Sequence, residues 1–241
     1  MIIVDIYREN KGRYGYRRIT NELHNRGLNY NHKLVLKLMN ELNLHGKTIK
    51  RKYNSYKGTI GKVAPNIIER NFNTMEPFKK LATDVSEFAS QNGKVYLEPM
   101  IDMFNGEIIS YAVSTHPTFS QTMNMLNYAL QVIPKNNGTI IHSDQGWQYQ
   151  MVMYQNKLKE NGIIQSMSRK GNCLDNAMME NFFGVMKREM YYGHKYKTTH
   201  ELIVAINEYI KYYNEKRIKS KLKMSPIEFR THYQELLNRN V

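Results

Sequence analysis

The sequence predicts an α/β fold, in which a mixed five-stranded sheet is flanked by helices and preceded by a small helical domain. Two observations carry this prediction. From Leu81 to about Tyr191, short apolar strands alternate with helical segments, which is the pattern of a sheet covered by helices. Before Leu81, helical periodicity gives way to a polar and basic stretch.

The composition indicates a folded protein with an uneven, basic charge. Apolar residues make up 41% of the 241 residues, which is enough for a core. Basic and acidic side chains number 17 and 6 in residues 1–80, 6 and 9 in residues 81–180, and 12 and 6 in residues 181–241. A weakly acidic centre between basic flanks suits an enzyme that gathers cations and holds a nucleic acid, although a basic excess also favours solubility alone.

The sequence also excludes several classes of protein. The single cysteine, Cys173, rules out an intrachain disulfide and a cysteine-based metal cluster. No apolar run reaches the roughly 18 residues needed to cross a bilayer, and the N-terminus has no signal-peptide pattern. We therefore expect a cytoplasmic protein with no membrane partner.

Residues 1–46 are predicted to form short helices that resemble a helix-turn-helix DNA-binding segment. Two apolar faces follow the helical period, namely Ile19 with Leu23, ended by Gly27, and then Leu34, Val35, Leu38 and Leu42, up to about Asn43. Arg17 and Arg18 are the predicted DNA contacts. Packing or dimerisation is the alternative role. Residues 47–80 lack periodicity and are rich in Lys and Asn, so they are predicted to be a basic linker.

The remaining elements follow the RNase H-like order of three strands in a meander, then helix, strand, helix, strand and helix. Strands are predicted at Leu81–Ala89, Lys94–Ile101, Glu107–Ser114, Thr139–His142 and Ile163–Gln165. Helices are predicted from Ser120, as N-cap, to about Ile133, from Gln150 to Glu160, and from Leu174 to Tyr191. Residues 81–195 would form the catalytic core and residues 196–241 a C-terminal helical extension.

Three carboxylates occupy informative positions in this layout. Asp84 lies on the first strand, Asp144 directly after the fourth strand and Glu180 within the last helix. Because the first and fourth strands are neighbours in an RNase H-like sheet, the two aspartates can converge. Cleavage or transfer of a phosphodiester develops charge on two oxygens, and carboxylate-bound Mg²⁺ ions can stabilise both. We predict that these three acids are catalytic.

Several motifs closely resemble the integrase-like transposases of the IS-three family, in particular their orfB product. The resemblance is carried by residues 81–87, 142–149 and 168–180, and by residues 212–217 and 224–229, which match the family's closing motif. Thirty-five residues separate Asp144 from Glu180, and Lys187 follows Glu180 by seven positions. Both spacings are signatures of the superfamily that also contains retroviral integrases. Many relatives carry His where this chain has Lys219.

The resemblance implies a metal-dependent transposase of a bacterial insertion sequence. Asp84, Asp144 and Glu180 would bind two Mg²⁺ ions, or Mn²⁺ in their place, and Lys187 would contact DNA. The expected substrates are transposon-end DNA and target DNA, and the expected partners are further copies of the chain and an orfA or orfAB fusion product. The protein is expected in the cytoplasm, with the nucleoid. The alternatives are a regulatory DNA-binding orfB product and a purely hydrolytic nuclease.

Secondary candidates each have two interpretations. His142 could contact DNA or a metal-bound water, or support the structure. Asp102 could be a fourth acid of the site or a turn residue, and Trp147 could stack on a base or pack over its loop. Asp175 and Asn176 are expected to hydrogen-bond the start of the last helix.

Overall fold

Residues 2–47, 62–170 and 172–239 are described by the structure, which is a computed structural model. The chain forms two compact units. Unit 1 comprises Met1–Arg51, Met186–Tyr192 and Tyr209–Val241, and unit 2 comprises Lys52–Val185 and Gly193–Glu208. These units do not follow the four predicted segments, because the C-terminal residues group with the N-terminal helices. Within the described ranges, no helix is both long and apolar enough to cross a membrane.

Unit 2 is built on a mixed sheet, as predicted. Its strands are β1 (Lys80–Thr83), β2 (Ser86–Ser90), β3 (Gly93–Asp102), β4 (Ile108–Ser114), β5 (Ile140–Ser143) and β6 (Ile164–Met167). Strand β3 runs antiparallel to β1, β2 and β4, whereas β5 runs parallel to β1 and to β6. The meander followed by parallel strands is the RNase H-like arrangement.

The predicted first strand is divided, so the sheet has six strands and not five. Strands β1 and β2 keep one register along β3, since Thr83 pairs with Met100 and Ser86 pairs with Leu97. That register would place Asp84 opposite Pro99, which has no backbone N–H to donate to a ladder. The break therefore falls at Asp84, in the middle of what would otherwise be one strand.

Helices cover the sheet of unit 2 and complete its core. They are α4 (Phe119–Val132), α5 (Val152–Glu160), α6 (Ala177–Met186) and the first half of α7 (Thr199–Glu215). Leu81, Met100 and Ile141 of the sheet pack with Met125 and Leu158 of the helices. The predicted N-cap Ser120 is wrong. Helix α4 begins two residues earlier, because the side chain of Thr118 accepts a hydrogen bond from the N–H of Gln121.

The predicted long helix from Leu174 to Tyr191 consists of three helical types. A 3₁₀ turn at Cys173–Asn176 precedes α6, and a π-helical turn at Lys187–Tyr191 follows it. In the π turn, the N–H of Tyr192 bonds to the carbonyl of Lys187 at 2.6 Å, five residues back. Apolar periodicity cannot distinguish these hydrogen-bond patterns, which explains the difference.

Unit 1 has its own core. Helices α1 (Ile2–Glu9), α2 (Tyr16–Asn25) and α3 (His32–Glu41) pack with residues near Ile218, before α8 (Pro226–Arg239). The end of α2 at Gly27 is confirmed by a φ of +78°. On α3 the buried residues are Val35 and Met39, whereas Leu34 is 43% exposed. Leu34 was therefore wrongly placed on the buried face, because it precedes Val35 by about 100° of helical rotation.

Part of the predicted basic linker, residues 48–61, lies outside the described residues. Its later part, residues 62–79, lies along the sheet of unit 2. Ile68 is buried, and the N–H of Ile67 donates to the hydroxyl of Ser166 at 2.9 Å. This part of the segment therefore packs as a component of the core unit.

Candidate active site

Asp84 and Asp144 emerge together at one edge of the sheet. Strands β1 and β5 are parallel neighbours, with Ala82 paired to His142. Asp84 and Asp144 each follow their paired residue by two positions, so both leave their strands at the same level. The predicted convergence of the two aspartates is thus built into the strand register.

Both aspartates have raised pKa values. Burial is the largest cause of the strong rise in the pKa of Asp84, and the charge of Asp144 is the second. The charges of Glu98 and Glu180 raise the pKa of Asp84 further, while the N–H of Val85 lowers it. Burial also raises the pKa of Asp144. Negative charge is therefore crowded at this edge, and a cation would relieve that repulsion.

Backbone N–H groups orient the two carboxylates. Asp84 Oδ1 accepts from the N–H of Val85, and Asp144 Oδ1 accepts from the N–H of Gly146, each at 2.8 Å. A Cβ atom at Gly146 would lie 2.9 Å from Asp144 Oδ1 and 2.8 Å from Gln148 Nε2. A larger residue at position 146 would therefore require the end of the Asp144 or Gln148 side chain to move.

Glu180 lies in the first turn of α6 and is half-buried. Its charge acts on Asp84, although less than the charges of Asp144 and Glu98 do. Across the described part of the chain, no three His, Cys, Asp or Glu side chains form a group that could hold a metal ion. The structure thus brings Asp84 and Asp144 together and leaves Glu180 within electrostatic range of them.

The start of α6 is fixed by a network around Asp175. Its buried carboxylate accepts from Arg169 at 2.8 and 2.9 Å, from Arg70 at 2.9 Å and from Asn66 at 3.1 Å. Hydrogen bonding by Arg169, above all, lowers the pKa of Asp175. The carboxylate of Asp175 therefore pairs with the guanidinium groups of Arg169 and Arg70. This differs from the expectation that it would hydrogen-bond the start of the helix. Asn176 Nδ2 does reach a neighbouring element, the carbonyl of Thr83, at 3.5 Å.

Of the two interpretations of His142, contact with DNA or a metal-bound water and structural support, its contacts favour structural support. Its Nε2 lies 2.9 Å from the carbonyl of Asp175, which can only accept, so Nε2 carries a proton. Its Nδ1 lies 2.8 Å from the hydroxyl of Ser166, which already accepts from the N–H of Ile67 and can donate to His142. Burial lowers the pKa of His142, in agreement with a neutral ring that ties β5 to β6.

The other two open candidates are also resolved. Asp102 is a turn residue, because its carboxylate oxygens accept from the N–H groups of Phe78 and Phe104, at 2.8 and 2.9 Å. Trp147 is 38% exposed, and its ring centre lies 6.5 Å from that of Phe119. The Trp147 side chain therefore packs beside Phe119 and remains partly exposed to solvent.

Glu98 is the acid that sequence reasoning missed. It lies on β3, is 1% exposed, and accepts from the hydroxyl of Thr122 at 2.9 Å through Oε2. Its Oε1 is buried and has no hydrogen-bond partner among the residues that the structure describes. Burial, mainly, raises the pKa of Glu98 to about 7. The signal was present, since Glu98 is the one charged residue in the apolar run from Val95 to Ile101.

The predicted DNA-contacting residues have different environments, all within unit 1. Arg17 is exposed, and its guanidinium lies 5.7 Å from the ring centre of Tyr16. Arg18 is mostly buried and forms a 3.1 Å ion pair with Glu189, which gives it a packing role that the sequence did not indicate. Lys187 opens the π turn and is half-buried.

Comparisons with known proteins agree with this architecture. Residues 75–173 and 180–233 match families described as integrase core domain, and residues 1–53 match an HTH-like domain. The chain is 50% identical, over 95% of its length and 81% of the relative's, to InsK of the insertion sequence element IS150 of Escherichia coli (strain K12). It is 31% identical, over 87% of its length and 73% of the relative's, to the transposase InsF for insertion sequence IS3A of the same organism.

The chain belongs to the IS-three family of insertion-sequence transposases. This transposase also shares its fold with a chain in the cryo-EM structure of a simian T-cell lymphotropic virus intasome, with a TM-score of 0.53 and 16% identity. That similarity covers 65% of the transposase and 57% of the viral chain. The function of the transposase is DNA transposition, by polynucleotidyl transfer in its integrase core.

Proposed function

We propose that the transposase cleaves and joins DNA strands with Asp84, Asp144 and Glu180 as its catalytic, metal-binding acids. The main support is the crowding of negative charge at one sheet edge, where Asp144 and Glu180 both raise the pKa of Asp84. Carboxylate oxygens are the ligands that Mg²⁺ prefers, so Asp84 and Asp144, joined by Glu180, are the residues that would hold two Mg²⁺ or Mn²⁺ ions. When bound, such ions would stabilise charge on the attacking and leaving oxygens of the phosphodiester.

The chain's own residues would prepare this site. The N–H groups of Val85 and Gly146 orient the two aspartates. The hydrogen bond from Asn176 to the carbonyl of Thr83 ties the start of α6 to the end of β1, directly before Asp84. This tie would limit how far Glu180 can move from Asp84.

The substrates would be transposon-end DNA and target DNA, contacted by Arg17 and Lys187. Two ends must be held together for transposition, so we propose a homo-oligomer in the synaptic complex. An orfA product or orfAB fusion is the proposed partner in end recognition, in the bacterial cytoplasm with the nucleoid.

An assay of cleavage and joining on terminal-repeat oligonucleotides tests this function. Asp84→Asn, Asp144→Asn and Glu180→Gln should each lower product formation with Mg²⁺ or Mn²⁺ by at least about a thousandfold, which is about 4 kcal/mol of transition-state stabilisation. DNA binding should persist. Glu160→Gln, at an exposed position at the end of α5, is the matched control and should keep full activity. Retained activity in the Glu180→Gln protein would overturn the assignment.

A further inference from the structure

An open groove of about 500 Å³ lies within unit 1. One side is formed by a single face of α2, since Arg17, Asn21 and His24 recur at helical spacing. The other side is formed by Ser220 and Lys223, which belong to the segment between α7 and α8. The groove therefore joins the N-terminal helices to residues more than 190 positions later in the chain.

The segment that supplies Ser220 and Lys223, residues 219–224, contacts α2, and the residues just before it bond to Tyr14. The Tyr14 hydroxyl accepts from the N–H of Ile218 at 2.9 Å and donates to the carbonyl of Lys216 at 3.1 Å. Asn25 Nδ2 donates to the carbonyl of Lys223 at 3.4 Å. Residues 219–224, which we call the basic loop, are also closed by a 3.0 Å bond from the N–H of Lys219 to the carbonyl of Met224.

The groove has the charge of a polyanion site. Its positive charge comes from Arg17 and Lys223, and among the described residues that line it none is acidic. The side chains of Arg17 and Lys223 are exposed. Arg17 Nε donates to the hydroxyl of Tyr16 at 3.1 Å, and the guanidinium lies over the Tyr16 ring. Tyr16 therefore helps to orient the guanidinium of Arg17.

We propose that this groove binds the sugar-phosphate backbone of DNA, with the basic loop supplying Lys223 and Ser220 beside Arg17 of α2. The HTH-like match ends at residue 53, so the basic loop lies outside the segment to which that similarity assigns DNA binding. Lys and Arg pair with phosphate and release counterions, and a serine hydroxyl can donate to a phosphate oxygen. The inference rests on the proposed function only in taking DNA as the ligand.

The test is binding of the full chain to a terminal-repeat duplex over a series of salt concentrations, without divalent metal. Lys223→Ala and Arg17→Ala should each weaken binding by about fivefold at low salt and reduce the slope of log affinity against log salt by about 0.9, the value for one phosphate contact. Lys223→Arg should keep the affinity and the salt slope of the original protein. Lys211→Ala, which removes an exposed charge of α7 outside the groove, is the matched control and should change neither.

The proposal is overturned if Lys223→Ala and Arg17→Ala behave like Lys211→Ala in affinity and in salt slope. This failure is distinct from failure of the proposed function. Binding is measured without metal, so it does not depend on Asp84, Asp144 or Glu180. If Lys223→Ala leaves DNA binding unchanged while Glu180→Gln abolishes strand joining, only the groove proposal is wrong. If Lys223→Ala weakens DNA binding while Glu180→Gln keeps strand joining, only the proposed mechanism is wrong.

Discussion

At the scale of single residues, the position of Asp144 depends on a glycine two residues later. The N–H of Gly146 donates to Asp144 Oδ1 at 2.8 Å. This approach is possible because no side chain stands at position 146, where a Cβ atom would lie 2.9 Å from the same oxygen. The glycine therefore lets Asp144 and Gln148 keep the side-chain positions that they have in this loop.

Gly146→Ala should lower strand-joining activity, because the new methyl group must displace either Asp144 or Gln148. We expect a loss of at least about tenfold in rate, equivalent to about 1.4 kcal/mol. Gly184→Ala is the matched control, since no atom lies within 4 Å of its Cβ position on α6. Equal activity in the two variants would show that Asp144 is not held by this contact.

Glu98 gives a prediction about stability and pH in metal-free protein. Its pKa is raised from 4.5 to about 7, so between these values the folded chain keeps a proton that the unfolded chain loses, and stability falls as pH rises. Glu98→Gln cannot ionise and should be more stable than the original protein by about 2–3 kcal/mol at pH 8. Urea unfolding in a chelator should show that this gain shrinks towards pH 5. A gain that is independent of pH would contradict this account.

The sequence predicted Asp84, Asp144 and Glu180 because their motifs and spacing are specific. It did not predict that Glu98 faces the same region, since a single acid in an apolar strand carries no information about the face it occupies. Arg18 shows the opposite error. Charge suggested contact with DNA, whereas Glu189 pairs with it in a largely buried position.

At the scale of elements, the π turn places Glu189 in a buried ion-pair network of unit 1. Its carboxylate accepts from Arg217 at 2.8 Å and from the hydroxyl of Tyr209 at 2.9 Å, and it pairs with Arg18. Burial would raise the pKa of Glu189, but Arg217 and Arg18 together hold it below its usual value. This network joins the N-terminal helices, the π turn and the C-terminal motif.

Glu189→Gln should destabilise the transposase, because it leaves the buried Arg217 without an opposite charge. The expected loss is about 3–5 kcal/mol in the free energy of unfolding, measured with urea near neutral pH. Glu235→Gln, at an exposed position of α8 in the same unit, should change stability by less than about 0.5 kcal/mol. A small effect of Glu189→Gln would mean that the network contributes little.

Most strands and helices could be predicted from periodicity, but their interruptions could not. The break at Asp84 depends on Pro99 of another strand, and Glu189 of the π turn has its partners Tyr209 and Arg217 20 and 28 residues away. Such long-range causes leave no trace in a local apolar pattern.

At the scale of the molecule, the acidic cluster lies in unit 2, whereas Arg17, Lys187 and the basic loop belong to unit 1. This distribution matches the charge pattern of the sequence, in which a weakly acidic centre is bordered by basic segments. The acids that we propose as catalytic and the residues that we propose as DNA contacts therefore belong to different units, and α6 and the π turn are consecutive in the chain.

Metal should stabilise unit 2 through the crowded acids. Mg²⁺ is expected to raise the Tm of the original protein, because it relieves the repulsion between Asp84 and Asp144, with a gain that grows as RT ln(1 + [L]/Kd). Asp84→Asn should raise the Tm of the metal-free protein and remove most of the response to Mg²⁺. An undiminished Mg²⁺ response in this variant would exclude Asp84 as a ligand.

The most direct test is calorimetric titration of Mn²⁺ into the original protein and into the Asp84→Asn, Asp144→Asn and Glu180→Gln variants, each without DNA. If the three acids form one metal site, every variant should bind Mn²⁺ at least about tenfold more weakly, a loss of about 1.4 kcal/mol or more. Glu160→Gln should bind as the original protein does. Unchanged Mn²⁺ binding in the Glu180→Gln protein would contradict the claim that α6 completes the site.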